Sequence, residues 1–171
     1  MKNDYVYTTY IKTTPEKLWQ AITNPEFTKQ YWGHTNESDW KKGSEWKHVG
    51  STSKETHILG KIVESSPPKR LVITWASPDN LADESRVTFE IEALEDVARL
   101  VVTHSGLTAE SAMEKGITKG WPMVLSCMKS FLETGKSLSI IKSVPLKNPW
   151  MPSFLYIFQT ESLMLRYSLY P

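Results

Sequence analysis

Four histidines, at positions 34, 48, 57 and 104, are the side chains of this sequence best suited to proton transfer or metal ligation, because an imidazole changes charge near neutral pH. Their spacing does not favour a metal: no pair stands at the helical i,i+4 or strand i,i+2 interval, and no Cys-x-x-Cys occurs. Neither a metal nor another cofactor is expected. His104 draws most interest. It closes the stretch ARLVVTHSG, which sets Leu100, Val102 and His104 on one face just before Ser105 and Gly106. An imidazole there can orient a ligand's carbonyl or act as acid or base, or simply bond to backbone at a strand end. His48 and His57 are weaker candidates for the same chemistry. Cys127 has no motif around it and reads as a buried, inert thiol. There is no Gly-x-Ser-x-Gly, no phosphate-cradling glycine loop and no close carboxylate pair. These absences count against an enzyme without deciding the matter.

The elements that must position these residues follow from hydrophobic period. DYVYTTYIK, residues 4–12, reads as a strand. Thr14 and Pro15 start a helix in which Leu18 and Ile22 form an apolar pair, and Asn24-Pro25 ends it and starts a second helix that stops at Gly33. Period two then takes over. SEWKHVG places Trp46 and His48 on one face; ETHILGKIVES holds a glycine that suggests a bulge or bend. RLVITWAS aligns Leu71, Ile73 and Trp75, SPDNLADE (77–84) reads as a polar loop, and RVTFEIEAL aligns Val87, Phe89 and Ile91. Such alternation indicates an antiparallel sheet with one wet face, and six or seven strands tend to curl.

GWPMVLSCMKSFLETG, residues 120–135, reads as a helix with an apolar arc of roughly 200°, about twice what a surface helix needs. Trp121, Leu125, Met128 and Leu132 share one narrow sector, which should lie against the sheet. Gly116, Gly120 and Pro122 predict a break or kink near 116–121, with AESAMEK as a separate turn or two.

Composition bounds the partners. The 171 residues suit one domain with an extension, and the net charge of +1 comes from well-mixed acids and bases, so nucleic acid is not an expected partner. No apolar run is long enough for a membrane span, and no secretory leader is evident; with a single cysteine, a cytoplasmic location is expected.

Several segments carry a family resemblance: PEKLWQAITNPE (15–26), GKIVESSPPKRLVITW (60–75), LVVTHSGL (100–107), and Gly120-Trp121 with the closing LETG. Together they resemble the domain named after the activator of the heat-shock-protein-90 ATPase, a branch of the START-like, helix-grip superfamily that includes the birch-pollen allergen. The resemblance implies an α+β fold over residues 1–138, with a curved antiparallel sheet of six to seven strands gripping a long C-terminal helix, and two short helices after the first strand. It further implies a cavity between sheet and helix for a small apolar or amphipathic molecule. Trp46, His48, Trp75, Phe89 and His104 from the strands, and Trp121, Leu125 and Met128 from the helix, are the expected lining, though each can instead fill the core. Two alternatives accompany a carrier or sensor role. One is an interaction domain for a chaperone of the heat-shock-protein-90 type; the other is a cyclase- or hydrolase-type enzyme using a cavity histidine.

Residues 139–171 depart from the family pattern as an apolar tail interrupted by Pro145, Pro149 and Pro152. It can cover the domain, join two copies, or have no evolved role.

Overall fold

The computed structural model describes residues 2–140, so nearly all of the apolar tail lies outside the described residues. Strand β1 (Lys2–Ile11) is followed by α1 (Pro15–Thr23) and α2 (Pro25–Trp32). Thr14 caps α1 by accepting from the Lys17 N–H; Asn24 ends α1 and caps α2 by accepting from the Glu26 N–H; Gly33, at φ 74°, closes α2. Six strands then run as a meander: β2 (His34–Glu37), β3 (Glu45–Gly50), β4 (Thr56–Ser66), β5 (Arg70–Ser77), β6 (Asn80–Leu94) and β7 (Val97–Thr108). Helix α3 (Ala112–Thr134) completes the α+β domain.

The seven strands form one sheet in the order β1-β7-β6-β5-β4-β3-β2, antiparallel throughout. That order puts β1 and β2 at opposite edges, so α1 and α2 carry the chain across one face. Register shifts in four of the six ladders supply the local bends that let a broad sheet curl.

Helix α3 meets protein on two sides, which accounts for its wide apolar arc. Toward the sheet, Trp121, Leu125 and Met128 are buried, and the Trp121 ring lies 5.7 Å from Trp75 on β5 and 5.8 Å from Phe89 on β6. Toward the short helices, Phe131 meets Phe27 at 5.9 Å and Tyr31 at 6.5 Å.

Three expectations are corrected. The break near 116–121 does not occur: α3 runs unbroken through Gly116, Gly120 and Pro122. A proline inside a helix costs about 3 kcal/mol. Burying Trp121, Leu125 and Met128 returns about 1.5–3 kcal/mol each, so packing holds the helix together. Residues 77–84 are not a loop; Ser77 pairs with Asn80 and the chain turns straight into β6. Gly60 marks a close approach rather than a bend. A Cβ there would run into the Thr74 carbonyl and lie 2.6 Å from Trp46 Nε1, because the Trp46 indole crosses that spot to donate to Thr74 O at 2.8 Å.

Candidate functional site

The sheet register gathers three histidines. His34 on β2, His48 on β3 and His57 on β4 stand on neighbouring strands, with Asn36 opposite His48 and His48 opposite Ile58. The imidazoles of His34 and His48 stack at 4.3 Å, within 3° of parallel, and His34 Nε2 lies 2.7 Å from His57 Nδ1.

The hydrogen-bond partners decide where the protons sit. Asn36 donates its Nδ2 to Ile22 O at 2.9 Å, which turns its Oδ1 toward His48 Nδ1 at 2.6 Å. Only an N–H answers that oxygen, so Nδ1 carries the proton and Nε2 of the neutral ring keeps a lone pair. Likewise His34 Nδ1 donates to Trp32 O at 3.2 Å, leaving its Nε2 to accept from His57 Nδ1. Burial first, then the neighbouring His34 and His57, holds the His48 pKa well below the ordinary histidine value. His57 Nε2 is 3.8 Å from a Glu55 carboxylate oxygen. Among the described residues, no group of three histidine, cysteine or acidic side chains is arranged to hold a metal ion.

A cavity opens beside this stack. Its strand-side wall is Trp32 at the end of α2, the three histidines, Ile58 on β4 and Trp75 on β5. Its other wall is α3, through Gly116, Ile117, Gly120, Trp121 and Val124. Trp32, Trp75 and Trp121 stand 5.7–6.4 Å apart around it. The cavity volume is about 30 Å³. That is room for one or two waters and far below the roughly 300–1,000 Å³ of pockets that take drug-sized ligands.

Two details distinguish it from a packing defect. A Cβ added at Gly120 would meet nothing within 4 Å, so α3 omits a side chain where the space lies. And Trp75, only 4% exposed, has an indole N–H with no hydrogen-bond partner among the described residues. Such an orphaned donor costs about 1–3 kcal/mol.

Of the eight lining residues expected from sequence, the structure brings His48, Trp75 and Trp121 to the cavity. The other five are buried elsewhere in the core. Trp46 is spent on Thr74 O, Phe89 packs edge-on against Trp121, and Leu125 and Met128 fill the interior. His104 sits behind Trp75 in a closed chain of hydrogen bonds. Trp121 Nε1 donates to His104 Nδ1 at 3.2 Å, His104 Nε2 donates to Ser85 Oγ at 2.7 Å, and Ser85 donates to Trp75 O at 3.1 Å. Both ring nitrogens are thereby used, and burial lowers the His104 pKa to about 3. His57, the third catalytic candidate, does line the cavity. Sequence reasoning missed Trp32, His34, Ile58, Gly116, Ile117, Gly120 and Val124. The i,i+4 pair Gly116 and Gly120 was the available signal, since each glycine in a helix costs about 1 kcal/mol against alanine.

Residues 12–133 match the family model described as activator of Hsp90 ATPase homolog 1-like protein. The chain belongs to this family. Solved structures similar to it include ChR145 from Cytophaga hutchinsonii (28% identity, TM-score 0.62, covering 76% of this chain and 93% of that one). Another is an Aha1 dimer from Colwellia psychrerythraea (24% identity, TM-score 0.64, 79% and 99%). CalU16 from Micromonospora echinospora is similar at 17% identity and TM-score 0.63, covering 96% and 86%. Comparison with curated proteins gave no match. These Hsp90-activator-homologue-like neighbours share the helix-grip fold found here, a curved antiparallel sheet closed around a C-terminal helix. Among the described residues no helix is long and apolar enough to cross a membrane.

Proposed function

We propose that the protein is a cytoplasmic binding module for a small, largely apolar molecule held between α3 and the β2–β5 end of the sheet. The observation that carries this reading is the cavity faced by Gly120, where the helix gives up propensity to keep room beside three indoles. Because that room holds only one or two waters as it stands, the ligand enters as side chains part. His48, Trp75 and Trp121 are its contacts among the residues that face inward by sequence period, joined by Trp32, Gly116 and Gly120.

The test is Gly120→Leu. A Cβ there meets nothing within 4 Å and the rest of the side chain fills the cavity, so small apolar compounds, including any that co-purify and appear in native mass spectrometry of the wild-type protein, should no longer bind, with an unchanged circular-dichroism spectrum showing that the fold survives. A wild-type protein that takes up neither a co-purifying compound nor an apolar dye would refute the reading. The family's description supports a second reading, an interaction domain for an Hsp90-type chaperone. It predicts a change in that chaperone's ATPase rate on adding the protein, unaffected by Gly120→Leu.

A further inference from the structure

The sheet has two edges, and they are finished differently. β2 is only four residues long, which limits what it can recruit. β1 is ten residues long, and among the described residues no strand lies beyond it. An edge of that length is ordinarily blunted by proline, charge or a bulge. Here the bulge, at Asn3/Tyr5, is confined to one end, and residues 5–11, YVYTTYI, hold no proline and no charge.

A contact from α3 shows which way the backbone of β1 points. Lys129 Nζ donates to Tyr10 O, so that carbonyl faces away from β7 and keeps a second lone pair. Backbone groups alternate sides along a strand, so Val6 and Thr8 also turn their N–H and C=O to the outer edge. Tyr5 and Tyr7 pack against the core, which leaves Val6, Thr8 and Tyr10 on the sheet's other face. There Val6 is 59% and Tyr10 51% exposed.

We infer that this edge pairs with the β1 edge of a second copy of the chain, antiparallel about a two-fold axis at Thr8. A two-fold requires a self-complementary surface, and one register supplies it. With the two Thr8 residues opposite each other, Val6 faces the partner's Tyr10, and Asp4 comes beside the partner's Lys12. These are threonine–threonine, branched–aromatic and opposite-charge pairs, all favourable across strands. An axis at Tyr7 instead sets Lys2 against the partner's Lys12, and an axis at Val6 leaves Tyr10 facing the partner's Lys2. Asp4 Oδ1 accepts from Gly106 N, which leaves Oδ2 for the lysine. The pairing is independent of the cavity, which lies at the β2–β5 end of the sheet, so its failure leaves the proposed function untouched.

The test uses the full chain. Sedimentation equilibrium should show a dimer whose fraction rises with concentration; a monomer at every concentration would overturn the proposal. Cysteines then read the register. Thr8→Cys places two thiols at the axis with Cα atoms about 5.5 Å apart, within the range a disulfide spans, so mild oxidation should give a covalent dimer. Val6→Cys alone should not cross-link, because its two copies lie roughly 13 Å apart along the strands; Val6→Cys combined with Tyr10→Cys should. Cys127, the one native cysteine, is fully buried, so the wild-type chain is the unlinked control. A covalent dimer from Val6→Cys alone would overturn the register. A solution dimer whose Thr8→Cys form stays unlinked uses another surface, residues 139–171 among the choices, and overturns the proposal altogether. Thr8→Pro removes the N–H at the axis from both copies at an edge position that tolerates proline. It should weaken the dimer about tenfold or more, with an unchanged circular-dichroism spectrum.

Discussion

The two sides of Trp75 are built to opposite specifications. On one side Trp46 reaches over Gly60 to Thr74 O, and His104 is locked between Trp121 and Ser85, so that atoms touch and donors have acceptors. On the other side, among the described residues, the ring's N–H has no acceptor, His48 keeps a lone pair, and Gly120 faces empty space. The same residue types occur on both sides. Histidine, tryptophan and glycine are therefore not informative by identity here; what separates structure from site is whether hydrogen-bond and volume accounting closes. A packed core closes both. A binding site leaves both short by about the amount its ligand supplies.

The contrast is open to direct attack. The largest effect is expected at Gly60→Ala. Its methyl has nowhere to go, Trp46 must swing away, and stability should fall by about 3 kcal/mol, lowering Tm by roughly 10 °C in a thermal melt. A neutral result there would mean the closed side is as loose as the open one.

A middle-sized effect comes from pH. The folded protein holds His104 at about 3 against an ordinary value of 6.5, so between those values the unfolded chain takes up a proton that the folded one refuses. Stability should decline as pH falls through that window, His48 contributing in the same direction. His104→Gln should reduce the slope by about 1.4 kcal/mol per pH unit. Urea unfolding between pH 6 and 5, about where carboxylates still remain ionised, measures it; an unchanged slope would place water beside His104.

The smallest effect is on the open side. Gly120→Ala adds a methyl that meets nothing within 4 Å, and should raise stability by about 1 kcal/mol through helix propensity while weakening the binding of small apolar compounds. If it destabilises instead, the space beside Gly120 is not available.

Much of the scaffold was legible. Thr14-Pro15 and Asn24-Pro25 with Gly33 mark both short helices through capping chemistry that acts locally, and alternation marks β3 to β7. Strand β2 escaped because its inward residues, His34 and Asn36, are polar, so no hydrophobic period betrays it. Gly120 and Pro122 suggested a break because local propensity ignores the packing of Trp121 and Leu125. The site itself was half visible. His48, Trp75 and Trp121 face inward by period, but the histidine stack arises from register between strands, which interval-counting along the chain cannot see. His104 ranks ahead of His48 from sequence; the bonds from Ser85 and the Trp121 indole reverse that order in the structure.

The pairing of β1 with β7 has a consequence for how the molecule is made. Tyr5 lies opposite His104, so the first strand of this domain must wait for nearly a hundred further residues before its partner is synthesised. At roughly 5–20 residues per second that is about 5 to 20 seconds, during which an edge rich in tyrosine and threonine has no native neighbour. Closure of the sheet, and with it the seat for α3, is therefore a late event in the biogenesis of this protein, and nascent chains truncated before Val97 should be the form that molecular chaperones retain.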